Sequence, residues 1–194
     1  MVLQIIAKLT RGETILPADS TKDKRIDIDS ESDMVDAENI ENNASTQHLE
    51  APVNVIYQTA EDGLGDTIKP RLLAAGADCT KVMVIDDSEQ PLTMADVRLE
   101  EAIVQTKARM VVLDPIQGFL GSEVDMHRAN EIRPLMKRIA VLAEKYHCAI
   151  ILIGHMNKNS NGKSSYRGLG SIDFQAAARS VSVSYTHLRA HETL

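Results

Sequence analysis

The sequence is poor in aromatic residues and in cysteine, and it has no long apolar run. Aromatic residues make up 3% of its 194 residues and Trp is absent, so its hydrophobic core must be mainly aliphatic. The two cysteines, Cys79 and Cys148, are too few for a disulfide scaffold and fit a reducing compartment. No apolar segment approaches the roughly 18 residues of a membrane-spanning helix, and no secretory signal is evident. These absences predict a cytoplasmic protein without a membrane partner.

The acidic charge of the chain is concentrated in one segment. The net charge is −7, and residues 14–52 alone carry a net charge of −7, so the rest of the chain is neutral. This segment contains few apolar residues and has neither a helical nor a strand period. We predict that 14–52 is a flexible acidic insertion, either a solvated surface or a tail that binds a partner.

Short apolar runs alternate with amphipathic helical patterns after Pro52. The predicted strands are 53–57, 82–85, 110–113 and 149–153. The predicted helices are 66–75 (capped by Asp66), 93–107 (opened by Thr93), 131–146 and 172–179. Strands that are apolar throughout and alternate with helices are typical of a parallel sheet covered on both faces. The sequence therefore predicts an α/β fold with its core in residues 53–183.

Both ends of the chain depart from this pattern. Residues 1–13 form an apolar helix with no strand before it. Residues 184–194 abandon the apolar pattern just where 180–183 begins another strand, and we interpret them as a non-native tail. We therefore expect the chain to be a fragment of a larger domain.

Polar side chains follow the predicted strands at the edge where parallel sheets bind ligands. Asp114 ends the third run, where a carboxylate either holds the water shell of Mg²⁺ in a nucleotide hydrolase or merely caps the strand. Glu61 follows the first strand and is either a base that activates water or a solvated loop acid. His155 follows the fourth strand and either contacts a phosphate or is satisfied by backbone groups.

A long stretch near the end of the predicted core lacks acidic residues. Residues 154–172 carry Lys158, Lys163 and Arg167, which favours contact with a polyanion over the alternative of a solvated loop. Within this stretch, 157–164 imitates the phosphate-binding motif G-x-x-x-x-G-K-[ST], but Asn157 replaces the first glycine and no helix follows directly. We do not expect a phosphate cradle there.

Four blocks taken together resemble the RecA-like ATPases, and most closely the RepA-type replicative helicases and AAA-type ATPases of plasmids and phages. The blocks are 55–77 (VIYQTAEDG…RLLAAGA), 110–120 (MVVLDPIQGFL), 151–158 (ILIGHMNK) and 166–180 (YRGLGSIDFQAAARS). The resemblance covers about 53–180, and also 2–12 if the helix there follows a phosphate loop that the chain lacks. It implies a RecA-like three-layer fold with a mostly parallel sheet, truncated at both ends in this chain.

The resemblance also implies roles for single residues. Glu61 matches the glutamate that activates the hydrolytic water, Asp114 matches the Walker B aspartate that holds Mg²⁺ through water, and His155 matches the polar sensor. Arg71 lies where the family keeps an arginine beside the nucleotide. Arg167 matches either an arginine finger that reaches the nucleotide of a neighbouring subunit or a contact to DNA. The implied cofactors are ATP and Mg²⁺.

The implied partners are single-stranded DNA and further copies of the chain, in a ring that is usually hexameric. Residues 118–130 and 156–170 occupy the places of two loops that face DNA, so Lys158, Lys163 and Arg167 are predicted DNA contacts. The glycine-rich phosphate loop, expected just before Val2, is missing, and we expect the chain as given to be inactive.

The predicted function is therefore part of an ATP-hydrolysing, DNA-dependent motor, a replicative helicase of a plasmid or phage. One alternative is a RecA-fold ATPase that acts in recombination or protein remodelling without unwinding DNA. The other is a non-catalytic α/β interaction module whose strand-end acids are only caps.

Overall fold

A four-stranded parallel sheet lies at the centre of the molecule. The computed structural model describes residues 1–15, 51–155 and 173–182. The strands are β1 (Val55–Thr59), β2 (Val82–Met83), β3 (Met110–Asp114) and β4 (Ala149–Leu152). They lie in the order β2-β1-β3-β4, and every neighbouring pair is parallel. The predicted α/β fold with a parallel sheet is confirmed.

Helices precede, connect and follow these strands. They are α1 (Val2–Arg11), α2 (Lys69–Ala74), α3 (Val97–Thr106), α4 (Ala129–Lys145) and α5 (Asp173–Ala177). A π-helical segment (Leu64–Ile68) leads into α2, and a 3₁₀ turn (Ile116–Phe119) follows β3. Within the described ranges, the longest helices are too short or too polar to cross a membrane.

Side chains of successive strand residues point to opposite faces of the sheet, and each face has its own apolar core. On one face, Val55 and Val112 pack with buried residues of α1 and α2, Ile6 and Leu72 among them. On the other face, the side chains of Ile56, Val111 and Leu113 pack with those of α3 and α4; the buried helical residues there are Leu99, Ile103, Ile132, Met136, Ile139 and Leu142. The arrangement is the predicted three layers, helix, sheet and helix.

The strand boundaries differ from the prediction because the backbone finds other partners. The ladder of β1 begins at Val55, since the Val53 N–H donates to the Leu9 carbonyl of α1 (3.1 Å). β2 ends at Met83, two residues early. The Ile85 N–H donates to the side-chain oxygen of Gln58 (3.1 Å) instead of continuing the ladder.

Two predicted helix starts are wrong. Asp66 caps no helix, because the chain already turns at Gly63, whose carbonyl accepts hydrogen bonds from Thr67 and Ile68 (3.0 Å each). Thr93 does not open α3; the cap is Asp96, whose carboxylate accepts a hydrogen bond of 2.9 Å from the Arg98 N–H. The predicted insertion and tail, 14–52 and 184–194, lie almost wholly outside the described residues.

Candidate functional site

The carboxyl ends of three neighbouring strands carry the predicted catalytic side chains. Thr59, the last residue of β1, is in register with Asp114, the last residue of β3. Leu113 of β3 is in register with Leu152 of β4, three residues before His155. Because these strands are parallel and adjacent, Glu61, Asp114 and His155 lie along one edge of the sheet, as predicted.

Glu61 and His155 are in direct contact. The His155 Nε2 atom lies 3.3 Å from Glu61 Oε2, and both side chains are more than 60% exposed. The loop that carries Glu61 is held by the Thr59 hydroxyl, which accepts a hydrogen bond of 3.1 Å from the Asp62 N–H. Among the described residues, the partner of His155 is thus a carboxylate from the loop after β1, two strands away in the sheet.

Asp114 is half-buried and is held by a residue that the sequence analysis did not single out. The hydroxyl of Tyr57 donates a hydrogen bond of 2.6 Å to Asp114 Oδ2. Tyr57 lies in the middle of β1 with 2% of its surface exposed. The pKa of Tyr57 is raised well above its ordinary value, mainly by burial and to a lesser extent by the hydrogen bond to Asp114. The hydroxyl therefore keeps its proton and remains a donor. The sequence offered one indication of this role, since Tyr57 is one of few aromatic residues and lies two residues from the end of a strand.

Arg71 lies beside this edge in an exposed ion pair. Its Nη1 atom is 3.0 Å from Asp62 Oδ2, and the two side chains are 58% and 43% exposed. Asp62 directly follows Glu61, so the pair holds the guanidinium next to the loop with the predicted base. An exposed pair of this kind contributes little to stability and leaves the arginine able to exchange partners.

The end of β2 is tied down by a buried side chain. Gln58, 1% exposed, donates hydrogen bonds to the Ile85 carbonyl (3.0 Å) and to Asp87 Oδ2 (2.9 Å). Asp86 accepts hydrogen bonds from the hydroxyl and N–H of Ser88, and these bonds lower the pKa of its carboxyl. The acids after β2 therefore stabilise a turn, which is a structural role.

Helix α1 packs on one face of the sheet, with its C-terminal end at the edge opposite the candidate site. Its C-terminal residues contact the opposite edge of the sheet: Leu9 accepts from the Val53 N–H just before β1, and the Thr10 hydroxyl accepts a hydrogen bond from Asp78 (3.1 Å). Val2 and Leu3, at the start of the helix, pack against the apolar core on the same face.

An apolar groove of about 450 Å³ lies between α2 and the exposed side of β2. It shares Tyr57 with the candidate site but includes none of Glu61, Asp114 and His155. The three predicted catalytic residues thus form an open edge outside this groove.

The predicted DNA-contacting loops are only partly described. Lys158, Lys163 and Arg167 lie outside the described residues. In the 118–130 stretch, Phe119 and Leu120 are buried in the core and cannot face a ligand. In the rest of that stretch, Val124 and Met126 pack against the core, whereas the exposed Arg128 has its Nε atom 3.4 Å from Asp125 Oδ2.

A comparison with family models gives one finding. The model described as an AAA domain matches residues 39–161, more than half of the chain, and the matched span includes the loop after β1, all of β3 and the end of β4. Together with the parallel sheet and its two helical layers, the match agrees with the expected RecA-like P-loop fold. No curated protein matches the chain.

Proposed function

Because this chain belongs to the AAA domain family, whose members are P-loop ATPases, we propose that it carries the catalytic strand edge of an ATP-hydrolysing, DNA-dependent motor. We further propose that the motor is a replicative helicase of a plasmid or phage. The observation that carries the catalytic part of this proposal is the alignment of Glu61, Asp114 and His155 on the ends of three adjacent parallel strands. Structural caps would not need a base, a half-buried carboxylate and an imidazole on a single edge.

Asp114 fits the role of magnesium holder. Mg²⁺ prefers oxygen ligands and keeps several of its waters, so one carboxylate at a strand end suits it. Tyr57 holds Oδ2. Among the described residues, the other carboxylate oxygen makes no hydrogen bond, so that it can accept from a metal-bound water. When bound, Mg²⁺ neutralises charge on the nucleotide phosphates.

Glu61 fits the role of general base. Its carboxylate is exposed and can accept a proton from a water that attacks the terminal phosphorus of ATP while the bond from that phosphorus to the ADP oxygen breaks. The contact with His155 Nε2 restrains the carboxylate, which reduces the freedom that the base would otherwise lose on reaching its working position. In this proposal the N-terminal end of α1 faces the same edge, because its C-terminal end contacts the opposite one, and the helix dipole would favour the phosphates there.

The nucleotide would also meet arginines. Arg71, held beside the Glu61 loop by Asp62, is positioned to exchange that exposed pair for a phosphate oxygen. Arg167 would reach either the nucleotide of a neighbouring subunit or DNA. In this proposal ATP sits between subunits of a homo-oligomeric ring, which we expect to be hexameric.

The direct test of the catalytic proposal is Asp114→Asn in the full-length protein. The amide keeps the size of the side chain but removes its charge, so Mg²⁺-dependent ATP hydrolysis should be abolished. Asp78→Asn is the matched control, since Asp78 precedes β2 at the opposite edge of the sheet and should leave turnover unchanged. Undiminished hydrolysis in Asp114→Asn would refute the assignment.

The DNA proposal rests on the acid-free stretch 154–172 and is tested by charge removal. Replacing Lys158, Lys163 and Arg167 with Ala should weaken single-strand binding and flatten its dependence on salt, because fewer counterions are released. A control variant removes the same charge from exposed residues elsewhere, namely Lys8, Arg109 and Lys137. Equal salt slopes for both variants would remove the DNA assignment.

Unwinding separates the helicase from its nearest alternative. A full-length protein that hydrolyses ATP and displaces a DNA strand is a helicase. One that hydrolyses ATP without displacing the strand is the recombination or remodelling ATPase. Absence of ATP hydrolysis altogether would favour the non-catalytic interaction module.

A further inference from the structure

The turn after β3 lies against the loop that carries Glu61. A Cβ atom built on Gly118 would overlap the Cβ of Ala60, the residue that directly precedes Glu61. Gly118 does not adopt a positive φ, so its backbone conformation would accept a side chain. Glycine is therefore required at this position because Ala60 occupies the space that a side chain would need.

The turn itself is firmly anchored. Ile116 and Phe119, on either side of Gly118, are 0% and 1% exposed. The Ile116 N–H donates to the Ile153 carbonyl (2.7 Å), two residues before His155, and the Phe119 carbonyl accepts from Met94 (2.7 Å). A displacement of this turn would disturb the core and the strand end that carries His155.

The loop that carries Glu61 is held less firmly than the turn that contains Gly118. Ala60 is exposed, and its N–H donates to the Asp114 carbonyl (3.0 Å), the last backbone bond between β1 and β3. Beyond it, the Thr59 hydroxyl holds the loop, and the Glu61 side chain is 62% exposed. A methyl group on Gly118 would therefore move Ala60 and Glu61 rather than the turn.

We propose that Gly118 is a positioning residue, whose missing side chain lets Ala60 approach the turn and so sets the distance of Glu61 from Asp114 and His155. This inference rests on the proposed function for its effect on catalysis, but its geometric content is independent of it. A shift of about 1 Å in a catalytic group can lower turnover on the order of 100-fold.

Kinetics in the full-length protein test the catalytic part. Gly118→Ala should lower kcat for ATP hydrolysis roughly 10- to 100-fold with little change in KM, because the base moves while nucleotide binding is retained. The double variant Ala60→Gly, Gly118→Ala removes the overlapping methyl and should restore kcat. Gly65→Ala is the matched control, since a Cβ there meets no atom within 4 Å.

A double-mutant cycle with Glu61 tests whether Gly118 acts through that residue. In a Glu61→Gln background, Gly118→Ala should cause no further loss of kcat, because the base is already absent. A full additional loss in that background, or a kcat that Ala60→Gly fails to restore, would overturn the proposal.

The geometric part is measured without activity. The imidazole NMR resonances of His155 should shift in Gly118→Ala as they do in Glu61→Gln, and they should return in the double variant with Ala60→Gly. Unmoved resonances in Gly118→Ala would overturn the proposal even if kcat for ATP hydrolysis falls. A wild-type protein that does not hydrolyse ATP, with the expected resonance shifts, would instead refute the proposed function alone.

Discussion

The Tyr57 hydroxyl links the interior of the sheet to the edge where the proposed chemistry takes place. It is buried under the α1–α2 layer, yet it donates to a carboxylate that is half-exposed. Because the pKa of this hydroxyl is raised, it stays protonated wherever the enzyme would work, and it fixes one oxygen of Asp114. Hydrogen bonds to charged groups are among the stronger ones in proteins, so this contact both stabilises the fold and orients the carboxylate.

Tyr57→Phe should therefore lower two quantities together. The free energy of unfolding should fall by roughly 1.5–3 kcal/mol, the usual cost of a lost hydrogen bond to a charged group. In the full-length protein, the Mg²⁺ concentration for half-maximal ATP hydrolysis should rise, because the carboxylate loses its orientation. Chemical denaturation and a magnesium titration measure these effects.

Tyr146→Phe is the control for that variant. The Tyr146 hydroxyl also donates a hydrogen bond of 2.6 Å to a carboxylate, that of Glu100, but between α4 and α3. It should lower stability by a similar amount and leave the magnesium dependence unchanged. If both variants change the magnesium dependence equally, Tyr57 has no special relation to Asp114.

The thiol of Cys148 should make stability depend on alkaline pH. Burial raises the pKa of Cys148 to about 11, from an ordinary value near 9. Between these values the folded chain keeps the proton and the unfolded chain loses it, so the free energy of unfolding falls as pH rises, by at most about 3 kcal/mol. Urea denaturation between pH 8 and 11 should give a shallower decline for Cys148→Ala; an identical decline would contradict the prediction.

At the scale of secondary structure, the centres of elements follow from the apolar pattern, whereas their ends depend on contacts made after folding. The four strands predicted between residues 53 and 153 and all five predicted helices are present, whereas residues 180–182, where another strand was predicted to begin, form none. The predicted start of α3 is wrong because Thr93 and Asp96 are both good capping residues, and nothing in the local sequence distinguishes them. Asp96 is the cap in the structure, where the Arg98 guanidinium pairs with its carboxylate (2.6 Å) and also donates to the Asp86 carbonyl (3.1 Å).

Asp96→Ala should lower the free energy of unfolding by roughly 1–2 kcal/mol at neutral pH, since it removes the cap of α3. The side-chain hydrogen bond from Arg98 lowers the pKa of the Asp96 carboxyl. Its stabilisation is therefore present above the ordinary pKa of an aspartate and is lost as pH falls through the lowered value. Denaturation at pH 7 and pH 3 should show the difference from wild type shrinking in acid.

Asp66→Ala provides the comparison for that cap. Asp66 was the predicted cap of the second helix, but in the structure it lies inside the π-helical segment and is exposed. Its removal should change stability by less than about 0.5 kcal/mol. A loss as large as that of Asp96→Ala would mean that the sequence pattern located the cap correctly.

At the scale of the whole molecule, the sequence could place the candidate site because parallel strands bring their carboxyl ends to one edge regardless of the details of packing. Glu61, Asp114 and His155 were found in this way. Tyr57 and Gly118 were not, because their importance lies in one side chain or one missing side chain that meets a neighbouring strand. Such contacts depend on register and on the path of a loop, which no local pattern encodes.

The packing of α1 is the feature of the whole molecule on which the site depends most, since the α1 N-terminus is proposed to face the phosphates. Ile6 in α1 and Ile132 in α4 are both 0% exposed, and they belong to the apolar cores on opposite faces of the sheet. If both layers are packed in solution, Ile6→Ala and Ile132→Ala should each lower the free energy of unfolding by roughly 2–5 kcal/mol.

Val141→Ala is the control, because Val141 lies on α4 with 52% of its surface exposed. It should change the free energy of unfolding by less than about 1 kcal/mol, the baseline effect of truncating an aliphatic side chain outside the core. Denaturant titrations of the three variants decide the matter. A large loss for Ile132→Ala with only a baseline loss for Ile6→Ala would mean that α1 is not docked on the sheet. The helix could not then present its N-terminus to a nucleotide, while the edge formed by β1, β3 and β4 would be unaffected.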